Sequence, residues 1–220
     1  MPSRLTALRF EADDPALLDA FWTSVLGRET LDGLGFALRF VPAEEPAPDR
    51  NQMHFDLTSN LSPQQETVAR ALALGARHCD VGQLPSERHV VLADPEGNEF
   101  CVVEEGNRFL AGQSTLGALS SDGTRATGLF WAEALGWPLI WDQDEETAIR
   151  PPSGGPIISW GGPPLMDTKG RTRLHLDLSA GGDQQAETDR LLALGATFLD
   201  LGDDGTILAD PDGNEFRLHP

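Results

Sequence analysis

The sequence predicts an α+β fold made of two tandem copies of one unit. Three observations carry this: three sequence blocks that recur in the same order, short alternating segments of strand length, and an apolar-faced helical segment at matching places in each copy. ALALGARHCDVG followed by VVLADPEGNEFCVV in the middle of the chain returns as LLALGATFLDLG followed by TILADPDGNEFRLH at its end. Upstream, HFDL at 54–57 pairs with HLDL at 175–178, and AFWTSVLGRE at 20–29 pairs with LFWAEALGWP at 129–138. Self-similarity of this kind marks repeated architecture.

The seam falls where the pattern is lost, in the polar stretch EEGNRFLAGQST at 104–115, which gives units 1–108 and 109–220. The copies differ most between the LG turn and the HxD block. Gly27 to His54 is a step of 27 residues, Gly136 to His175 a step of 39. The first copy is therefore expected to lack one strand there.

Each unit opens on a strand, LTALRFE or TLGALSS, followed by a helix at about 14–26 or 124–135. Leu17, Leu18, Phe21, Trp22, Val25 and Leu26 recur at helical spacing and bury one face. Trp22 and Trp131 are core residues by that periodicity, and Gly27 and Gly136 stop the helices. FALRFVP in the first copy and PLIWD, TAIRP and PIISW in the second are strands, rich in β-branched and aromatic residues. HFDLTS or HLDLSA then restarts the pattern as a strand. PQQETVARALALG or DQQAETDRLLALG is a helix, GARHCD or GATFLD a strand, and VVLAD or TILAD a strand turning through DPxGN into EFCVVE or EFRLHP. DPEGN at 94–98 and DPDGN at 210–214 place Pro and Gly where a tight turn needs them. Each copy thus reads as two βαβββ modules.

Bulk properties exclude several functions. A formal charge of −19, with Lys169 the only lysine among 16 basic residues, repels phosphate backbones and anionic lipids, so neither nucleic acid nor a membrane is expected as partner. No segment approaches the roughly 20 apolar residues of a membrane span and the first residues lack a signal-peptide pattern, which predicts a cytoplasmic protein. Cys79 and Cys101 are too few for a disulfide framework and are expected as reduced thiols.

A paired βαβββ module with HxDL opening its second half, an LGA segment after the helix and ADPxGNEF before the last strand resembles the vicinal oxygen chelate superfamily, in its glyoxalase-like and bleomycin-resistance branch. The resemblance implies curved mixed sheets of paired modules, helices outside, each sheet forming a cup around a small-molecule cavity. It implies further that active members hold one divalent metal at the cup base, on ligands from module first strands and last strands. Whether modules pair within a copy or across copies decides which residues meet, and the sequence leaves both arrangements open.

Residue by residue, the implied metal set is thin. His54 and His175 stand on the first strand of each second module. The matching first-strand positions of the first modules read Ala7 and about Leu116, the last-strand positions Cys101 and Arg217, and the middle-strand positions Arg39 and Ser159. A catalytic divalent site needs about three protein ligands, so no metal is expected; if one binds, His54, Cys101 and His175 are its donors, for Zn, Ni, Mn or Fe.

Strand alternation puts His54 with Asp56, and His175 with Asp177, on one face, the inner one by the resemblance. A carboxylate beside an imidazole raises its basicity, which makes these four the candidate catalytic residues for proton transfer near neutral pH; the alternative is a pair that only satisfies its own hydrogen bonds. Cys101, Arg217, His219, Trp141 and Trp160 are the candidate ligand-binding residues. Arg217 with the histidines suits an anionic or carbonyl oxygen or a structural ion pair, and the tryptophans suit an aromatic wall or core packing. The function expected is metal-free binding of a small, partly aromatic organic molecule, the alternative a lyase, isomerase or dioxygenase using the His/Asp pairs. The chain is expected as monomer or homodimer.

Overall fold

A computed structural model describes residues 2–43, 51–165 and 172–220. In the first half, β1 (Arg4–Ala12) leads to helix α1 (Pro15–Leu26), the short α2 (Arg28–Asp32), β2 (Ala37–Pro42) and β3 (Met53–Leu57). Helix α3 (Gln64–Ala73), β4 (Arg77–His78), β5 (Val90–Ala93) and β6 (Glu99–Val102) complete it. The second half runs β7 (Leu116–Ser121), α4 (Arg125–Leu135), β8 (Leu139–Gln143), β9 (Glu146–Ile149), β10 (Ile157–Trp160) and β11 (Leu174–Ser179), then α5 (Gln184–Leu194), β12 (Thr197–Gly202), β13 (Gly205–Ala209) and β14 (Glu215–His219).

The strands form two sheets, and each takes strands from both halves. One has six strands in the order β12-β13-β14-β11-β1-β2, the other eight in the order β4-β5-β6-β3-β7-β10-β9-β8. The junctions are antiparallel: β1 on β11, with Arg9 opposite His175, and β3 on β7, with His54 opposite Ser120. Modules therefore pair across the copies. The difference in strand number lies where the copies differ in length. The hairpin β8–β9 has no counterpart in the first half, where α2 stands between α1 and β2. Among the described residues the first copy thus lacks two strands, not the one expected. GARHCD forms only the two-residue β4.

The repeated blocks meet within a copy. Trp22 packs edge-on against Phe55 and Phe100, with ring centres 4.6 and 5.0 Å away, and Trp131 against Phe216 at 4.9 Å. Each indole N–H donates to the first aspartate of its copy's DPxGN turn, Trp22 to Asp94 at 3.3 Å and Trp131 to Asp210 at 3.1 Å. The third turn residue caps that copy's first helix: Glu96 accepts from the Asp13 and Asp14 N–H groups at 2.9 and 2.6 Å, and Asp212 from the Thr124 N–H and hydroxyl at 2.6 and 2.8 Å. Such acceptors satisfy N–H groups that a helix start leaves open. The turns reverse at Gly97 and Gly213, with φ of 96° and 89°, where a side chain is strained.

One continuous apolar core joins both sheets, with Leu8, Phe10, Phe55, Leu119, Leu176 and Phe216 all nearly inaccessible. The two sheets touch directly at Phe10 and Phe55. Arg173, 2% exposed, ties the halves by pairing with Asp13 at 2.7 Å and Glu96 at 2.8 Å.

Candidate functional site

Period-two alternation builds the floor of the eight-stranded cup. Met53, Phe55 and Leu57 are buried in the core, so His54 and Asp56 project from the other face. Phe100 and Val102 send Cys101 the same way, and Leu119 and Ile158 do so for Ser120 and Ser159. In register, Asp56 lies beside Cys101 on one flank and Ala118 on the other, and Ser120 beside His54 and Ser159. The Ser120 hydroxyl donates to Asp56 Oδ2 at 2.5 Å and lies 3.1 Å from the Ser159 hydroxyl. His54 Nε2 is 3.4 Å from Asp56 Oδ1. One donor atom each from His54, Asp56 and Cys101 lie within 4.8 Å of one another.

The electrostatics follow from this packing. Burial works against the charged imidazole of His54, but hydrogen bonds to Asp56 and Cys101, with the Asp56 charge, outweigh it and raise the pKa to about 10. Burial likewise opposes the Asp56 carboxylate, yet His54 and Ser120 hold it below the usual carboxylate range. Burial pushes the Cys101 thiol up, only partly offset by His54. At neutral pH the floor is an imidazolium–carboxylate pair beside a thiol. The expected rise in histidine basicity is present at His54.

Two cavities open on this floor and share His54 and Ser120. The first, about 490 Å³, is walled by Trp141, Phe109 and Ala148. The second, about 540 Å³, is more polar, with Arg88, His89 and Asn107 around Cys101. Trp141 is 39% exposed and Phe109 37%, and both face the first cavity. Phe109 belongs to the segment read from the sequence only as a seam, and no periodicity marks it. That segment is pinned by the Asn60 side-chain amide, which donates to the Leu110 and Gln113 carbonyls. Ser120 shares the face of β7 that carries Ala118, two residues earlier, and strand alternation is the only sequence signal for it.

The six-stranded cup presents a different chemistry at equivalent positions. His175 and Asp177 match His54 and Asp56, but Arg217, Arg9 and Arg39 stand where the other cup has Cys101, Ser120 and Ser159. Arg9 Nε is 3.6 Å from Asp177 and Nη2 3.7 Å from Glu215. His175 Nε2 is 3.5 Å from Glu11, and His219 Nε2 is 3.8 Å from Asp177.

Several sequence expectations are corrected here. Leu116 is 1% exposed in the apolar core, and the residue equivalent to Ala7 is Ala118, because each faces the aspartate of its HxD pair. Of the two readings left open for Trp160, core packing dominates: it borders the first cavity but is 2% exposed and packed in the core, since it alternates with Ser159. His54 and His175 lie in different sheets, so His54, Cys101 and His175 do not form one donor set. Cys101 joins His54 as expected, and Arg217 and His219 join His175.

The glyoxalase-like domain model matches residues 7–103 and again 118–219. The chain belongs to the glyoxalase-like domain family. It is therefore a tandem member of the vicinal oxygen chelate superfamily. Among solved structures, glyoxalase I from Zea mays is similar, with a TM-score of 0.65 at 12% identity over 99% of this chain and 92% of that one. A proposed dioxygenase from Bacillus subtilis gives a TM-score of 0.55 at 13% identity over 99% of this chain and 85% of that one. At such identities the likeness shows the fold alone. Among curated proteins none matches. No helix among the described residues is long and apolar enough to cross a membrane.

Proposed function

We propose that this glyoxalase-like protein binds a small, partly aromatic organic molecule in the eight-stranded cup, without a catalytic metal. The observation that carries the reading is the cavity of about 490 Å³ in which Trp141 and Phe109 stand open beside His54 and Ser120. An apolar wall with a few convergent polar groups is the usual composition of an organic-ligand site. A flat ligand lies against Trp141 while the imidazolium of His54 and the serine hydroxyls hold its oxygen atoms. The metal-free reading rests on the four positions where the superfamily resemblance implies donors. In this cup they are His54, Cys101, Ala118 and Ser159; in the other His175, Arg217, Ala7 and Arg39, where two guanidiniums oppose a cation. Titration with a panel of hydrophobic antibiotics and aromatic metabolites, followed by tryptophan fluorescence, tests it. Saturable quenching lost in Trp141→Ala is expected, and an unchanged signal with every compound overturns the reading.

A second reading, enzymatic, is favoured by the close approach of His54, Asp56 and Cys101. Asp56 supplies a third donor the sequence comparison did not count, and three is the number a catalytic divalent site uses. A zinc, nickel, manganese or iron ion held by these three residues would polarise a substrate carbonyl or activate water. Whether or not an ion binds, Ser120 fixes the Asp56 carboxylate and Trp141 orients the substrate. Elemental analysis of purified, unsupplemented protein separates the readings: a stoichiometric transition metal lost on Cys101→Ser establishes the second at the expense of the first.

A further inference from the structure

We propose that the six-stranded cup is a separate binding site, for a small oxyanion of the carboxylate or phosphate type, held by Arg9, Arg217 and Arg39. The proposal does not depend on how the other cup is used. At three positions where that cup carries Ser120, Cys101 and Ser159, this one carries arginine. Parallel pairing sets Arg39 beside Arg9, and Arg217 sits beside Asp177 one strand away.

Arg9 is 8% exposed, yet its Nε and Nη2 have no hydrogen-bond partner among the described residues, and neither has the buried Nε of Arg217. The carboxylates of Glu11, Asp177 and Glu215 share this face, but the Asp177 and Glu215 approaches to Arg9, at 3.6 and 3.7 Å, are too long for hydrogen bonds. They balance charge without closing the donor geometry. A buried guanidinium N–H without an acceptor is costly, and the Arg217 charge acts unfavourably on Arg9 across β11. An oxyanion between them supplies the acceptor and relieves the repulsion, using the paired planar geometry for which arginine is suited. His175 and His219 line the same face. With their Nδ1 atoms near the Glu215 and Asp204 carbonyls at 3.4 and 2.8 Å, their Nε2 atoms point to the carboxylates and add donors when protonated.

The chain as a whole, at −19, repels anions, so saturable anion binding requires a built site. The test is calorimetric titration of the full chain at low ionic strength, with sodium phosphate in one arm and sodium acetate in the other. One-site binding of at least one anion is expected, weakened about tenfold or more in Arg217→Gln, the loss expected for one charge-assisted partner. Arg70→Gln, the same charge change on the outer helix α3, is expected to bind as wild type. Which arm saturates identifies the ligand chemistry. Should Arg217→Gln lose the wild-type circular dichroism spectrum, the exposed Arg39→Gln takes its place. Absence of saturable heat with both anions, undiminished binding in the arginine variants, or an equal loss in Arg70→Gln overturns the proposal.

Discussion

The Ser120 hydroxyl donates a 2.5 Å hydrogen bond to Asp56 across the antiparallel junction of β3 and β7, so the second half of the chain holds the carboxylate that charges His54 in the first. Asp56→Asn removes that charge and leaves burial, which disfavours the imidazolium. The His54 pKa should fall from about 10 to its ordinary value or lower. NMR titration of the His54 ring in chelator-treated protein measures it; a midpoint unmoved by the substitution would assign the rise to another cause.

The same pair makes stability depend on pH in a defined window. A raised His54 pKa means that its contribution is complete below the ordinary value of 6.5 and is lost as pH rises through about 10. A lowered Asp56 pKa means that its contribution is present above the ordinary 3.8 and is lost as pH falls through the folded value. The stability difference between wild type and Asp56→Asn should therefore be widest between these ordinary values and shrink on both sides. Urea denaturation midpoints across pH read this directly, and a difference flat with pH contradicts the ion pair.

Trp141 is open at 39%, whereas Trp22, Trp131 and Trp160 are between 1% and 3% exposed. Acrylamide quenching should reach Trp141 first and the part-buried Trp137 to a lesser degree, and Trp141→Phe should remove the larger share of the quenchable emission. A bound ligand should protect the same fraction in the wild type. If quenching is unchanged by the substitution, the aromatic wall is not open as described.

The fold was largely legible because the recurring blocks are the parts that touch. Trp22 with Asp94, Asp14 with Glu96, Trp131 with Asp210 and Thr124 with Asp212 are each contacts within one copy, so each leaves a mark in a local pattern that recurs. The cups were less legible because their register is set between copies. Nothing in HFDL or LGALSS states that His54 will face Ser120, and a register cannot be derived from two strands without knowing that they pair. Asp56 faces Cys101 within one copy, but across the parallel β3–β6 pairing, whose register neither strand states alone. Trp160 stays open between wall and core in the sequence because both faces of β10 carry apolar residues, which removes the alternation that separates the two. Phe109 sits on a loop, where periodicity has no meaning.

Each tryptophan to turn contact should be worth a measurable amount. Burial raises the Asp94 and Asp210 pKa values, and the indole N–H is among the hydrogen bonds that counter this. Trp22→Phe or Trp131→Phe leaves a buried carboxylate short of a donor, at a cost of about 1–3 kcal/mol, with a further loss from the smaller ring. Guanidinium denaturation should show both variants destabilised by similar amounts, since the two contacts are equivalent. A near-neutral effect in either would show that water replaces the indole.

Pairing across the copies also fixes how the halves behave apart. Residues 1–108 alone carry β1 without β11 and β3 without β7, so both central junctions become open edges lined by polar backbone, with Leu8 and Phe55 behind them. Such edges seek another strand. The fragment should not persist as a folded monomer; light scattering should find it as a dimer or larger, because a second copy can offer its own β3 to β1 in the place of β11. Mixing with residues 109–220 should yield a one-to-one complex with the circular dichroism spectrum of the intact chain. A stable, folded monomer of either fragment would mean that a half can close its sheet alone, which the β1–β11 and β3–β7 registers do not allow.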